Sequence, residues 1–182
     1  MKTVECKCEV RDPALLEALL RRRGATFIAD LAQQDAYFRV PDARLLRREC
    51  PDGPPEWLFF SRRHVARPRV CSATCYSEIA ARERFGAAPM PRWVTVQKRR
   101  RTWWRDGLRI NIDDLGALGR FVEFETRIGA RGDAEACENR ISAARREFAL
   151  LLGEVIAVGY AELAENAIDN AADARRLGTG LA

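Results

Sequence analysis

Apolar and polar positions alternate along much of this chain, and the alternation is clearest over residues 94–126. In a β-strand, residues two apart share a face, so this alternation predicts strands with one charged face and one apolar face. Asp106 and Gly107 stand between the first two runs, and such a pair is typical of a tight hairpin. The loop at residues 116–119 separates the second run from the third. The stretch therefore predicts three antiparallel strands.

The charged face of these strands carries both signs of charge. A solvated face of an open sheet would show this pattern, and so would the interior of a closed barrel. In a barrel, the enclosed charges must be paired with one another or with a multiply charged ligand, because unpaired buried charges are costly. The positions that share this face are Lys98, Arg100, Arg109, Asn111, Asp113, Glu123 and Glu125.

The other segments favour the barrel. Residues 3–10 repeat the division into two faces, with Glu5 and Lys7 on the charged one. The chain shows about eight strands in total, and eight strands form a barrel with room for side chains and one small ligand. We therefore expect an α+β fold, an eight-stranded antiparallel β-barrel with helices packed outside. Further strands are expected at 25–40 (as two strands), 44–48, 57–63 and 67–73, and helices at 12–24, 76–85, 133–152 and from 160 onward.

Composition is consistent with one domain that binds an anion. The 182 residues are 47% hydrophobic and carry a net charge of +5. We expect a single domain over residues 1–165 and a tail over 166–182 that is either helical or frayed. The basic balance fits an anionic ligand, and nucleic acid is the less favoured alternative. No apolar run approaches the ~18 residues of a membrane span, and the charged start lacks a signal-peptide core, so a cytoplasmic protein is expected.

Six segments, taken in order, resemble one known family. They are T-V-E-C-K at 3–7, Q-x-D-x-Y-F at 33–38, R-L-L-R-R-E at 44–49, V-Q-K-R-R at 96–100, R-I-N-I-D-D-L-G-A-L-G-R-F-V-E-F-E at 109–125 and G-Y-A-E-L at 159–163. The ordered set resembles the CYTH superfamily, also called triphosphate tunnel metalloenzymes, and most of all its class IV adenylyl cyclase branch. The resemblance implies a barrel-shaped tunnel that binds a triphosphate through basic residues and uses Mg²⁺ or Mn²⁺ held by glutamates.

Carried over residue by residue, the resemblance implies a complete site. The implied catalytic residues are Glu5, Lys7 and Glu123. Metal ligands are expected from Glu5, Asp113, Glu123 and Glu125, where salt bridges to tunnel arginines are the alternative role. The implied substrate-binding residues are Lys7, Arg44, Arg48, Arg63, Lys98, Arg100 and Arg109.

The chain departs from the family pattern at three places. The family signature E-x-E-x-K reads Thr3-x-Glu5-x-Lys7 here, so its first glutamate is missing. This absence puts a second metal and the activation of a water molecule in doubt. Leu46 occupies a position where the family has a basic residue, and residues 71–92 match too poorly to carry any role.

Three functions stay open on these residues. The resemblance favours an adenylyl cyclase that converts ATP to cyclic AMP and pyrophosphate. The first alternative is a triphosphatase that hydrolyses the terminal phosphate of tripolyphosphate or thiamine triphosphate, and the second is a non-catalytic binder of polyphosphate or nucleotide. The family contains dimers, so a homodimer is an open alternative to a monomer.

Overall fold

The computed structural model of the chain describes residues 1–41, 43–51, 53–86, 90–129 and 132–178, and their side chains except those of residues 62 and 176–178. Within these ranges it contains nine strands and four α-helices. The strands are β1 (Lys2–Val10), β2 (Thr26–Val40), β3 (Ala43–Glu49), β4 (Glu56–Arg62), β5 (Arg69–Tyr76), β6 (Arg92–Arg105), β7 (Leu108–Asp114), β8 (Arg120–Arg127) and β9 (Leu152–Val155). The helices are α1 (Pro13–Arg22), α2 (Glu78–Phe85), α3 (Ala134–Glu147) and α4 (Tyr160–Gly178).

Eight of the described strands close into an antiparallel ring. Their order is β5-β4-β3-β2-β6-β7-β8-β1, and β1 pairs with β5 to complete the circle. β9 adds to the far end of β1, where Cys8 lies opposite Val155. The expected eight-stranded antiparallel barrel of the α+β class is therefore confirmed. A closed barrel leaves no unpaired strand edge and encloses the inward-facing side chains.

Two helices cover the outside of the barrel where the apolar faces lie. α1 begins at Asp12, whose carboxylate accepts a hydrogen bond from the Leu15 backbone N–H at 2.9 Å. Leu16 and Leu20 of α1 and Ile141 of α3 are fully buried in one cluster with outward-facing strand residues. The strand residues of this cluster include Val4, Cys6, Cys8, Trp103, Ile110, Ile112, Val122 and Phe124.

α4 has a different position, because its first turn covers one end of the barrel. Tyr160, Ala161 and Ala164 pack against Val94 and Val96, which face inward in step with Lys98. Glu162 of α4 accepts a hydrogen bond from the Nε of Arg44 at 2.6 Å, and Glu165 pairs with Arg39. The covered end of the barrel therefore combines apolar packing with ion pairs that attach α4 to the strands.

The structure differs from the sequence expectations at two elements. Residues 26–40 form one continuous strand, because β2 pairs with β6 along its whole length through two register shifts. The predicted helix over 133–152 ends at Glu147, and a single 3₁₀ turn at Ala149–Leu151 leads into β9. Leu152 matched the apolar stripe predicted for the helix because it is buried in the same apolar cluster as the α3 residues. It reaches that cluster from β9, however, and not from the helix. Within the described part of the chain, no helix is both long and apolar enough to cross a membrane.

The packing of α3 on the barrel predicts a large stability effect at Ile141. This side chain is 0% exposed, so truncation in Ile141→Ala leaves a cavity and is expected to lower the free energy of unfolding by about 2–5 kcal/mol. Leu150→Ala is the matched control, because Leu150 is 89% exposed and its loss should change stability by less than about 0.5 kcal/mol. Urea denaturation measures both. Equal effects in the two variants would contradict the described packing of α3.

Candidate active site

The barrel encloses a cavity of about 180 Å³ that brings together residues from the eight strands of the ring and α4. Tyr160 is buried at the covered end, while the Arg109 side chain is half exposed and marks the open end. One part of the wall is charged and another is apolar. The charged lining consists of Glu5, Lys7, Arg48, Lys98, Arg100, Arg109, Glu123 and Glu125.

Three carboxylates of the cavity lie on the adjacent strands β1 and β8. Glu5 stands directly opposite Glu125 in the antiparallel register, and Glu123 stands opposite Lys7. Burial raises the pKa of Glu125 above its ordinary value, the charge of Glu123 raises it further, and so does the charge of Glu5, while Arg109 opposes them. The repulsion among these carboxylates favours a cation between them.

The carboxylate cluster has the right chemistry for a divalent cation but is incomplete as a protein-only site. Among the described residues, no three His, Cys, Asp or Glu side chains are arranged to form a full metal-binding group. Mg²⁺ commonly takes only one or two protein carboxylates and completes its shell with phosphate oxygens and water. Glu5, Glu123 and Glu125 therefore fit a cation that is shared with a phosphate ligand.

Asp35 holds two of the expected substrate-binding cations in place. Its oxygens accept hydrogen bonds from the Nε and Nη2 of Arg48 at 2.7 and 2.8 Å, and Lys98 also donates to it. Burial opposes ionisation of this 0% exposed carboxyl, but the charges and hydrogen bonds of Lys98 and Arg48 outweigh it and hold the pKa of Asp35 below its usual range. Sequence reasoning assigned no role to Asp35, because its partners are distant in the chain.

Asp113 positions Arg100 and does not line the cavity. The Nε and Nη2 of Arg100 donate to it at 2.7 and 2.6 Å, and the hydroxyl of Tyr160 donates at 2.6 Å. Burial, followed by the charges of Asp113 and Glu123, raises the pKa of Tyr160 well above its ordinary value, so this phenol stays a donor. These contacts use both oxygens of Asp113, which differs from the metal-ligand role that the resemblance implies.

Two residues of the site, Tyr160 and Arg69, were not expected from the sequence. The Nζ of Lys7 lies 3.5 Å from the centroid of the Tyr160 ring, a cation–π contact that fixes the lysine toward the cavity. Arg69 is buried and donates from its Nε to Glu5 at 3.3 Å and from its Nη1 to the carbonyl oxygen of Ala157 at 2.7 Å. Arg69 alternates in step with Cys71 and Ala73, which line the cavity, and this was its only signal in the sequence.

The remaining substrate-binding candidates are not all in the cavity. Arg109 lines its open end, and its Nη1 lies 3.8 Å from a carboxylate oxygen of Glu125. Arg44 lies at the covered end, where it is held by Glu162. The expectation that Arg63 lies in the cavity is wrong, because this residue follows the last residue of β4 and is exposed.

The apolar part of the cavity wall comes from β3, β4 and β5. Leu46 of β3 lines the cavity at the position where a basic residue was expected. It is joined there by Leu58, Phe60, Cys71 and Ala73. The cavity is therefore charged along β1, β6, β7 and β8 and at Arg48 of β3, and it is otherwise apolar along β3, β4 and β5.

Comparison with known proteins gives relatives by structure only. No protein-family model matches the chain, and no curated protein matches it. A Pyrococcus horikoshii protein superposes with a TM-score of 0.72 at 20% identity, over 88% of this chain and 98% of that one. A Vibrio parahaemolyticus protein provisionally described as an adenylate cyclase gives a TM-score of 0.71 at 18% identity, over 90% of this chain and 97% of that one.

A plant protein adds a third structural match. It is a Hippeastrum protein provisionally described as an adenylyl cyclase and found to have a dominant triphosphatase activity, with a TM-score of 0.58 at 14% identity. The match covers 87% of this chain and 91% of that one. The chain has the fold of these proteins. At such low identities the likeness extends to the path of the backbone, and the chemistry has to be argued from the side chains.

The enclosed ion pairs predict that Asp35 is a strong determinant of stability. Asp35→Asn leaves Lys98 and Arg48 buried without their counter-charge, so we expect a loss of about 3–5 kcal/mol in the free energy of unfolding at pH 7. Asp30→Asn on the same strand is the control, because the Asp30–Arg99 pair is largely solvent-exposed and its loss should change stability far less than the loss of Asp35.

The same carboxyl predicts a pH dependence. The pKa of Asp35 is lower in the folded than in the unfolded state. Its contribution to the free energy of unfolding is therefore complete above the unfolded-state pKa of about 3.9 and is lost as the pH falls through the folded-state pKa. The stability gap between wild type and Asp35→Asn should therefore narrow as the pH is lowered below about 4. Urea unfolding from pH 7 to pH 2 measures this gap, and a gap that widens toward acid would refute the assigned pairing.

Proposed function

We propose that this chain is a divalent-metal-dependent enzyme of the CYTH superfamily that acts on a triphosphate bound inside the barrel. The observation that carries the proposal is the enclosure of Glu5, Glu123 and Glu125 beside Lys7 and Arg100 in one cavity. A protein that only bound anions would gain nothing from carboxylates among its cations. Support also comes from the fold, which is shared with the proteins provisionally described as adenylyl cyclases.

In this proposal, the carboxylates on β1 and β8 hold Mg²⁺ or Mn²⁺. Glu5 and Glu123 would supply oxygens from these adjacent strands, and Glu125, which is directly opposite Glu5, would complete or orient the set. When bound, the cation would act as a Lewis acid that stabilises charge on phosphate oxygens and lowers the pKa of an attacking hydroxyl or water. Asp113 contributes indirectly, because it fixes the direction of Arg100.

The cations of the cavity would bind the phosphate chain. Arg100 and Arg48 are each oriented by a two-point contact with an aspartate, which leaves their outer N–H groups available at a defined angle. Lys7 is oriented by the Tyr160 ring, and Lys98 by Asp35. Such pre-positioned charge is what phosphoryl transfer requires most, because the reaction needs charge neutralisation more than a covalent nucleophile.

Among the reactions open to such a site, we favour adenylyl cyclisation. The 3′-oxygen of the ribose would attack the α-phosphorus, the bond from that phosphorus to the pyrophosphate oxygen would break, and the hydroxyl proton would leave to solvent. The pyrophosphate would then be held by Arg48, Lys98 and Arg100. Thr3 supports this choice, because it occupies the position of a family carboxylate that would serve an attacking water.

Triphosphate hydrolysis is the second candidate, and the triphosphatase activity of the structurally similar Hippeastrum protein favours it. In that reaction water attacks the terminal phosphorus and orthophosphate is released. Incubation with ATP, tripolyphosphate and thiamine triphosphate, each with Mg²⁺ or Mn²⁺, separates the two. Cyclic AMP and pyrophosphate from ATP are the expected products, and orthophosphate without cyclic AMP would assign the chain to the triphosphatases.

Glu123→Gln tests the assignment of the metal ligands. Loss of this carboxylate should lower metal-dependent turnover by at least about 100-fold while the thermal unfolding midpoint stays within a few degrees of wild type. Glu138→Gln is the control, because Glu138 is an exposed residue of α3 and its loss should leave turnover unchanged. Full metal-dependent activity in Glu123→Gln would refute the role of this residue.

A further inference from the structure

A buried arginine outside the cavity lining contacts one of the cavity glutamates. Arg69 of β5 lies directly opposite Glu5 of β1 in the antiparallel register, and its Nε donates a hydrogen bond to Oε1 of Glu5 at 3.3 Å. The side chain of Arg69 is 3% exposed and that of Glu5 is 10% exposed, so water screens this ion pair only weakly. The charge of Arg69 therefore acts on Glu5 at close range.

Backbone carbonyl groups hold the guanidinium of Arg69 on its other side. Nη1 donates to the carbonyl oxygens of Val65 at 2.9 Å and Ala157 at 2.7 Å, and it lies 3.4 Å from that of Ile156. Ile156 and Ala157 belong to the connection between β9 and α4, and the Ile156 backbone N–H donates to the carbonyl oxygen of Lys7 at 2.9 Å. Arg69 is therefore fixed by segments that also position β1 and the first turn of α4.

The contact between Arg69 and Glu5 differs in kind from two other enclosed arginine–carboxylate pairs. Arg48 and Arg100 each present Nε and Nη2 to the two oxygens of an aspartate, and this two-point contact uses the whole carboxylate. Arg69 meets Glu5 through Nε alone, and its Nη2 is buried without a hydrogen-bond partner among the described residues. This contact uses one oxygen of Glu5 and still fixes the direction of the carboxylate.

The arginines beside the other two glutamates can exchange partners, whereas Arg69 cannot. Nη2 of Arg100 lies 3.5 Å from an oxygen of Glu123, and Nη1 of Arg109 lies 3.8 Å from an oxygen of Glu125. Arg100 and Arg109 line the cavity, so phosphate oxygens that enter it compete with the carboxylates for them. Because Arg69 lies outside the lining and its Nη1 is occupied by carbonyl oxygens, it keeps its carboxylate when a ligand is bound.

A glutamate that serves as a metal ligand in this cavity has cations around it that compete for its oxygens. Lys7 shares the inward face of β1 with Glu5 and stands two residues further along, and Arg109 lines the same cavity. If Glu5 turned fully toward either cation, it would present fewer oxygens to a divalent ion. A fixed partner on one oxygen limits this turning, in the way that outer contacts orient the ligands of metal sites.

We propose that Arg69 is a positioning residue that holds Glu5 in the direction a divalent cation requires. The inference rests on the proposed function, because it assumes that Glu5 is a metal ligand. Arg69 acts through Glu5 and does not touch the substrate. Its contacts with the connection that leads into α4 mean that one guanidinium positions both the metal ligand and the covered end of the barrel.

Manganese binding tests this role without any turnover. Mn²⁺ is titrated calorimetrically in the presence of an ATP analogue with an α,β-methylene bridge, which cannot be cyclised. Arg69→Gln releases Glu5, so the Mn²⁺ dissociation constant should rise at least about tenfold, the lower end of what the loss of an outer contact costs a metal site. An arginine that acted only through its charge would have the opposite effect, because its removal would tighten Mn²⁺ binding.

A double-mutant cycle separates an action through Glu5 from a general loss of structure. Glu5→Gln should weaken Mn²⁺ binding at least about tenfold in the wild-type background. In the Arg69→Gln background the same change should weaken it less than about threefold, because the carboxylate is already displaced. Equal effects of Glu5→Gln in the two backgrounds would show that the residues act independently and would overturn the proposal.

Two further variants make the test specific. Arg101→Gln is the matched control, because Nη1 of Arg101 lies 2.8 Å from an oxygen of the buried Glu17 outside the barrel, so its loss should lower the thermal unfolding midpoint and leave the Mn²⁺ dissociation constant within about twofold. Arg69→Lys keeps the positive charge but loses the planar fork, so it should weaken Mn²⁺ binding at least about threefold. Arg69→Lys also covers the case in which Arg69→Gln does not fold, and binding as tight as in wild type would overturn the proposal.

The outcomes separate this inference from the function on which it rests. Undiminished Mn²⁺ binding in Arg69→Gln, with normal binding in wild type, would overturn the role of Arg69 and leave the triphosphate enzyme intact. Absence of Mn²⁺ binding to the wild type in the presence of the ATP analogue would overturn the proposed function and this inference together.

Discussion

The structure depends on enclosing charged groups of both signs where water is scarce. Burying an unpaired charge costs several kcal/mol, so each enclosed carboxylate needs partners that hold it. Asp35 has Arg48 and Lys98, and Asp113 has Arg100 and Tyr160. These contacts join β2, β3, β6, β7 and α4, so the ion pairs also determine how the ring of strands and its covered end fit together. A barrel held in this way presents its remaining charges at defined positions.

The two buried aspartates, Asp35 and Asp113, differ in role from the three glutamates that line the cavity. Each aspartate is saturated by hydrogen-bond donors, and its pairing orients a cation. Glu125 lies opposite Glu5 and two residues from Glu123, and burial, followed by the repulsion of these neighbouring carboxylates, raises its pKa. A saturated carboxylate has little to offer a metal ion, whereas repelling carboxylates are stabilised by one. The structure thus divides its acidic residues into those that position cations and those that fit a divalent ion.

Much of this arrangement was predictable from the alternation of residue types, and the rest was not for identifiable reasons. The inward and outward faces of β1, β6, β7 and β8 could be predicted because charged and apolar positions alternate regularly along these strands. In β4 the run Trp57, Leu58, Phe59 and Phe60 is apolar on both faces. Leu58 and Phe60 line the cavity, whereas Phe59 packs outward against Phe85 of α2. The pattern therefore could not show which face points inward, and Arg63 was misplaced. Asp35 and Tyr160 could not be assigned because their partners lie far away in the chain and meet them only when the barrel closes.

The central claim is that a divalent cation and a triphosphate share one enclosed site between the carboxylates and cations of the barrel. Anomalous X-ray diffraction at the manganese edge, from crystals grown with Mn²⁺ and the α,β-methylene ATP analogue, tests it directly. We expect one strong peak inside the barrel within coordination distance of carboxylate oxygens of Glu5 and Glu123 and of a phosphate oxygen. A barrel interior without manganese, or manganese found only on the outer surface, would contradict the account.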